Sequence, residues 1–145
     1  MPRISTFVYS DSVNNETAPN GNRLVSIQNP MLVFRPVFIP SLFSFAVTVG
    51  IVGVGHSETH TIRFTFGKIG GEELLIDTGV MPLPANLELD ENGALPVDHR
   101  GFLFNMDFRN VVFHSEGEYE SNTYFDGVLL GTHPVYVKGA ESRGI

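Results

Sequence analysis

The chain contains no cysteine and no tryptophan, and only 17% of its 145 residues are charged. Without cysteine there are no disulfides, no thiolate metal sites and no sulfur nucleophile. The lack of cysteine also fits a reducing compartment. Without tryptophan the chain lacks the broad aromatic platforms on which many sandwich hydrolases lay their sugars. Basic residues are few: nine Lys and Arg, scattered singly, against sixteen acidic residues, for a net charge of −7. Nucleic-acid affinity rests on clustered positive charge, so no nucleic-acid partner is expected. No persistent i, i+3, i+4 apolar stripe is present. The longest apolar run, residues 41–55, is too short and too rich in Gly and β-branched residues for a spanning helix, so no membrane partner is expected. No leader-like apolar region opens the sequence, and the expectation is a soluble, cytoplasmic protein.

What is there is period-two alternation. In residues 42–51, Phe43, Phe45, Val47, Val49 and Ile51 point one way, and Ser44, Ala46, Thr48 and Gly50 the other. Residues 60–67 repeat the pattern with Ile62, Phe64 and Phe66 inward, and Gly70-Gly71 then reads as a two-residue turn into a hairpin over roughly 60–80. Residues 101–113 alternate Phe102, Phe104, Met106 and Phe108, with a bend expected near Arg109-Asn110. Asp126-Gly127 is a strong type I′ hairpin signal. It joins a strand with Tyr119 and Phe125 inward to one carrying Val135 and Val137, which Pro134 restricts to an edge or a bulge. Two or three further strands lie before residue 40, broken by Pro30, Pro36 and Pro40. Polar segments 10–22 and 81–100 read as long loops.

Together these signals predict an all-β fold, an antiparallel β-sandwich of seven to nine strands with Greek-key-like connections. A single domain is expected over 1–138, with a flexible tail at 139–145.

Candidate chemistry is sparse. His56, Glu58 and His60 in the run HSETH have the spacing of two imidazoles around a metal if helical, but they sit where one strand turns into the next, so a polar hairpin loop is the plainer reading. Glu88, Asp90 and Asn92 stand at positions 1, 3 and 5 of a calcium-like loop. His99 occupies the twelfth place, where a bidentate Glu belongs, so a solvated turn competes with a weak cation site. These seven residues are the candidate binding positions. Glu116, Glu118 and Glu120 would share one face of a regular strand, as a solvated edge guard or a cation row. No nucleophile elbow is present, no catalytic residue is assigned, and no cofactor or metal is expected. The apolar, proline-broken residues 29–40 either pack across one end of the sandwich or form a contact patch.

Residues 38–75 show an apolar strand, a Gly-His corner, an alternating strand and a Gly turn. Residues 108–137 carry a G-x-Y strand, a D-G hairpin, L-G-x2-P and V-x-V. Together they resemble small uncharacterised β-sandwich proteins of Gram-positive bacteria and their prophages. The resemblance implies a sandwich on a mobile element and carries no site residue. The expectation is a non-catalytic binding module with a protein partner or a homo-oligomer. The alternatives are a self-associating structural subunit and a small hydrolase in which His99 or His56 meets a carboxylate in a pocket.

Overall fold

The computed structural model describes residues 2–21, 23–54, 59–83 and 95–139. Its strands are β1 (Arg3–Thr17), β2 (Arg23–Met31), β3 (Val33–Phe34), β4 (Ser41–Val52), β5 (His60–Lys68), β6 (Leu74–Asp77), β7 (Met81–Leu83), β8 (Gly101–Phe113), β9 (Gly117–Phe125) and β10 (Val128–Val137). They form two sheets, in the order β2-β1-β4-β8 and β3-β10-β9-β5-β6, with β7 also paired to β5. The chain crosses from the first sheet to the second at β2→β3, at β4→β5 and at β8→β9. β8 returns beside β4 and β9 beside β5, which is the long-return, Greek-key-like pattern. The architecture is the expected β-sandwich. Among the described residues it has ten strands rather than seven to nine, because two- and three-residue pieces (β3 and β7) complete the second sheet, and β3 pairs parallel to β10, a departure from the expected antiparallel sheet.

Alternation decides which side of each sheet meets the other. Phe45, Val47, Val49 and Ile51 of β4 face Ile62, Phe64 and Phe66 of β5 and are all but inaccessible. Phe34 plugs the middle, with its ring centroid 4.6 Å from Phe45, 5.0 Å from Phe43 and 5.2 Å from Tyr9. Burying such a ring contributes about 2–3 kcal/mol, and well-oriented ring pairs add about 1 kcal/mol more. A phenylalanine-rich core therefore does without disulfides.

The turns follow backbone chemistry. Asp126 and Gly127 have φ of 52° and 80°, and Val128 pairs with Phe125, as a type I′ turn requires. Asn110 (φ 56°) makes the expected bend in β8, where the β4–β8 register slips between Phe43 and Phe45 and Ser44 Oγ accepts the Asn110 N–H at 2.9 Å. The β5–β6 connection differs from expectation. Gly71 N–H donates to Lys68 O in a four-residue turn with Gly70 left-handed at φ 83°, because the register slips after Phe66 and lengthens the loop.

The larger correction concerns residues 10–22. Their first part is not a loop: Ser10–Thr17 continue β1 and pair with β2, from Ser10 opposite Pro30 to Thr17 opposite Arg23, and among the described residues only Ala18–Gly21 are turn. β1 pairs with β4 only as far as Ser10, opposite Ala46. Beyond that point the hairpin leaves the sheet edge, and Asn105 Nδ2 of β8 reaches Asn15 Oδ1 at 3.4 Å. Since β4 separates β1 from β8 in the sheet, the hairpin must cross the outer face of β4. Ala46 and Thr48 on that face are accordingly buried, at 0% and 1% exposure. The segment is polar because it lies outside the apolar core, not because its backbone is unpaired. In 81–100, Met81–Leu83 pair with β5 and Val97–His99 form one 3-10 turn. Residues 84–94 of that segment, and the tail beyond Gly139, lie outside the described residues.

Candidate functional site

His60 opens β5, and its imidazole Nδ1 lies 2.7 Å from Asp126 Oδ2, with its ring stacked 4.9 Å from Phe125. Asp126 Oδ1 also accepts the Thr61 N–H at 2.9 Å, and the Asp126 N–H donates to Thr61 O. The side chain that sequence spacing grouped with His56 and Glu58 is thus engaged with the type I′ turn. Its partnership with a residue 66 positions away is not a pattern that spacing reveals. His56 and Glu58 lie outside the described residues, as do Glu88, Asp90 and Asn92. His99 is exposed at the end of the 3-10 turn, beside a cleft of about 370 Å³ floored by Gly50 and Gly101. No carboxylate among the described residues lines that cleft. Among the described residues no group of three His, Asp or Glu is placed to hold a metal ion.

Two of the three glutamates form the expected row: Glu118 and Glu120 share the outer face of β9, an inner strand rather than an edge, and Glu116 stands apart. Glu116 Oε2 accepts the Gly139 N–H at 2.9 Å, which holds its carboxyl below the usual range, and Lys138 stands 3.6 Å away. Gly117 (φ 140°) breaks the strand geometry between Glu116 and Glu118.

A cleft of about 590 Å³ lies between the edges of β6 and β8. Its charges satisfy one another. Arg63 forms two bonds to Asp77 (3.0 and 2.7 Å), and Arg109 bonds Asp107 at 2.7 Å. The guanidinium and the Gly79 N–H pull Asp77 down to about 2, so it stays ionised and is no proton donor near neutral pH.

On the opposite side, between β1 and β10, is a cleft of about 370 Å³ that sequence reasoning missed. Phe7 and His133 stack nearly parallel, 3.9 Å apart. The Tyr9 hydroxyl meets Ser121 Oγ at 2.6 Å and donates to His133 O at 2.7 Å. Burial pushes the Tyr9 phenol upward and the His133 imidazole downward, so both favour their neutral forms. Met31, Leu32 and Pro134 form the apolar rim. From there an apolar strip runs along the β3–β10 edge, where Val33 pairs with Tyr136 and Phe38 lies near Gly139. Leu32 is 92% exposed, Val37 67%, Phe38 56% and Tyr136 49%. Residues 29–40 thus divide: Phe34 packs inward, and its neighbours Leu32, Val37 and Phe38 are exposed. The apolar run was the signal for the patch. Nothing short-range links Phe7 to His133.

Neither the models of known protein families nor the curated proteins contain a match to this chain. Among the described residues no helix is long and apolar enough to cross a membrane.

Proposed function

We propose that this protein is a non-catalytic binding module that engages a protein partner through the apolar strip along the β3–β10 edge. The carrying observation is the exposure of Leu32, Val37, Phe38 and Tyr136 on one side of a rigid scaffold. Exposed apolar side chains gathered in one place mark contact surfaces, whereas single ones do not. Leu32, Val37 and Phe38 lie in bends beside a segment tethered by Phe34 in the core and by the Val33–Tyr136 pairing, which lowers the ordering cost of binding them. This moves the working surface from the polar segments 10–22 and 81–100 to a strand edge.

The likeness of residues 38–75 and 108–137 to prophage sandwich proteins supports a place on a mobile element, with a host protein as partner and the cytoplasm as the compartment. Self-association through the same strip is the second reading, favoured by the number of exposed apolar side chains it carries, Leu32, Val37, Phe38 and Tyr136. A hydrolase role for His99 draws no support from its cleft, whose described lining carries no carboxylate.

The test is a pull-down from host lysate with wild-type protein and with Leu32→Asp/Phe38→Asp, alongside light scattering of both. A stoichiometric partner captured only by wild type supports the module. A wild-type oligomer that the double variant dissolves supports self-association. Identical behaviour of the two proteins in both assays rules out the strip.

A further inference from the structure

The part of the β1–β2 hairpin that leaves the sheet, the paired segments 11–17 and 23–29, is built unlike the rest of the fold. Between Asp11 and Thr17 its β1 half carries one apolar side chain, Val13. It crosses the outer face of β4 and meets β8 through a 3.4 Å hydrogen bond from Asn105 Nδ2 to Asn15 Oδ1. Beneath it lies a polar layer that is poorly satisfied: Thr48 Oγ1 and Asn105 Oδ1 are buried and have no hydrogen-bond partner. Such orphaned groups penalise the covered state and regain water when it opens. The place where bending can occur is equally defined. β4 stops pairing with β1 at Ser10, whose Oγ reaches Ser12 O at 3.3 Å. On the other strand Asn29 is left-handed (φ 54°) and donates to Asp11 Oδ2 at 2.7 Å, clasping the two strands at the bend.

We propose that the paired segments 11–17 of β1 and 23–29 of β2 form a hinged strap that lifts from the outer face of β4 as a unit, turning about Ser10–Ser12 and Asn29–Pro30, and exposes the polar row at Thr48 and Asn105. The core is untouched by the motion. Tyr9, the residue before the hinge, stays tied to Ser121 and His133 on the other sheet. This reading is independent of the β3–β10 strip.

The absence of native cysteine makes the test clean. Thr48→Cys places one thiol under the strap and removes a hydroxyl that has no hydrogen-bond partner. Val49→Cys places one a residue away, facing the core, where only global unfolding exposes it, and Val47→Cys serves if Val49→Cys fails to fold. Thiol labelling under native conditions is expected to be on the order of 100-fold faster in Thr48→Cys than in the core variant. Adding Asp11→Ala, which opens the clasp, is expected to speed labelling of Thr48→Cys about tenfold further and leave the core variant unchanged. Equal rates in the two variants would overturn the strap, since the hairpin would then part only with the whole fold. Labelling of Thr48→Cys as fast as that of an exposed Thr17→Cys would overturn it too, since no closed state would exist.

Discussion

The Tyr9 hydroxyl bridges the two sheets, 2.6 Å from Ser121 Oγ on β9 and 2.7 Å from the His133 carbonyl on β10. The contacts around it between the layers are apolar and non-directional. This pair of bonds fixes how the edge of one sheet sits over the other. Tyr9→Phe is expected to cost about 2 kcal/mol in urea unfolding, because the His133 carbonyl loses its donor and the buried Ser121 hydroxyl loses its acceptor while the ring stays. Combined with Ser121→Ala the losses should not add, since the two groups share one network.

The same hydroxyl gives an alkaline signature. Burial raises the folded phenol above its ordinary value of 10.0, so above that pH the native state holds a proton the unfolded state releases. The resulting stability is complete below pH 10.0 and declines as the pH rises beyond it. Tyr9→Phe should flatten this limb of the stability profile, measured by unfolding across the alkaline range.

His133 acts at the other end. Burial lowers its affinity for a proton below the ordinary 6.5, so the unfolded chain binds the proton first and stability falls as the pH drops beneath that value. His133→Phe keeps an aromatic ring against Phe7 and removes the titration. Comparing unfolding midpoints at about pH 7.5 and about pH 5.5 should show a smaller drop in the variant than in the wild type.

Two glycines separate space from conformation. A Cβ at Gly101 would fall 1.8 Å from Ile51 O, inside the β4–β8 ladder, so Gly101→Ala should cost about 3 kcal/mol or more or prevent folding. Gly70 has open space but φ 83°, and Gly70→Ala should cost only about 1 kcal/mol. Thermal melts of the two variants distinguish these outcomes.

Asp126 combines a left-handed backbone with bonds to His60 and Thr61. Asp126→Ala should cost about 2 kcal/mol, the strain and the lost bonds together. Asp126→Asn should cost less, because asparagine tolerates that backbone and keeps an acceptor. Chemical denaturation of both variants measures the difference.

What is legible in the sequence is local. The alternation of Phe43 through Ile51, the Asp126-Gly127 turn and the bend at Arg109-Asn110 are each decided by a handful of neighbouring residues. What is not legible depends on distant partners. Nothing in residues 10–22 tells that Asn15 meets Asn105, so a polar hairpin looks like a loop. Nothing near His60 tells that Asp126 will claim its imidazole. Phe7 and His133 come together only because β1 and β10 end up across the same gap. Residues 29–40 are half legible: their apolarity marks them, but only topology shows which of them turn inward.

Strand β8 ends its sheet, and its thirteen residues would, if straight, offer a long template of unpaired main chain to any extended polypeptide nearby. The left-handed Asn110 interrupts that template, and the Asp107–Arg109 pair sets charge beside the interruption. The kink that shapes the sheet thus also limits chain-to-chain stacking. A variant that straightened it would be expected to trade little in fold for much in fibril formation.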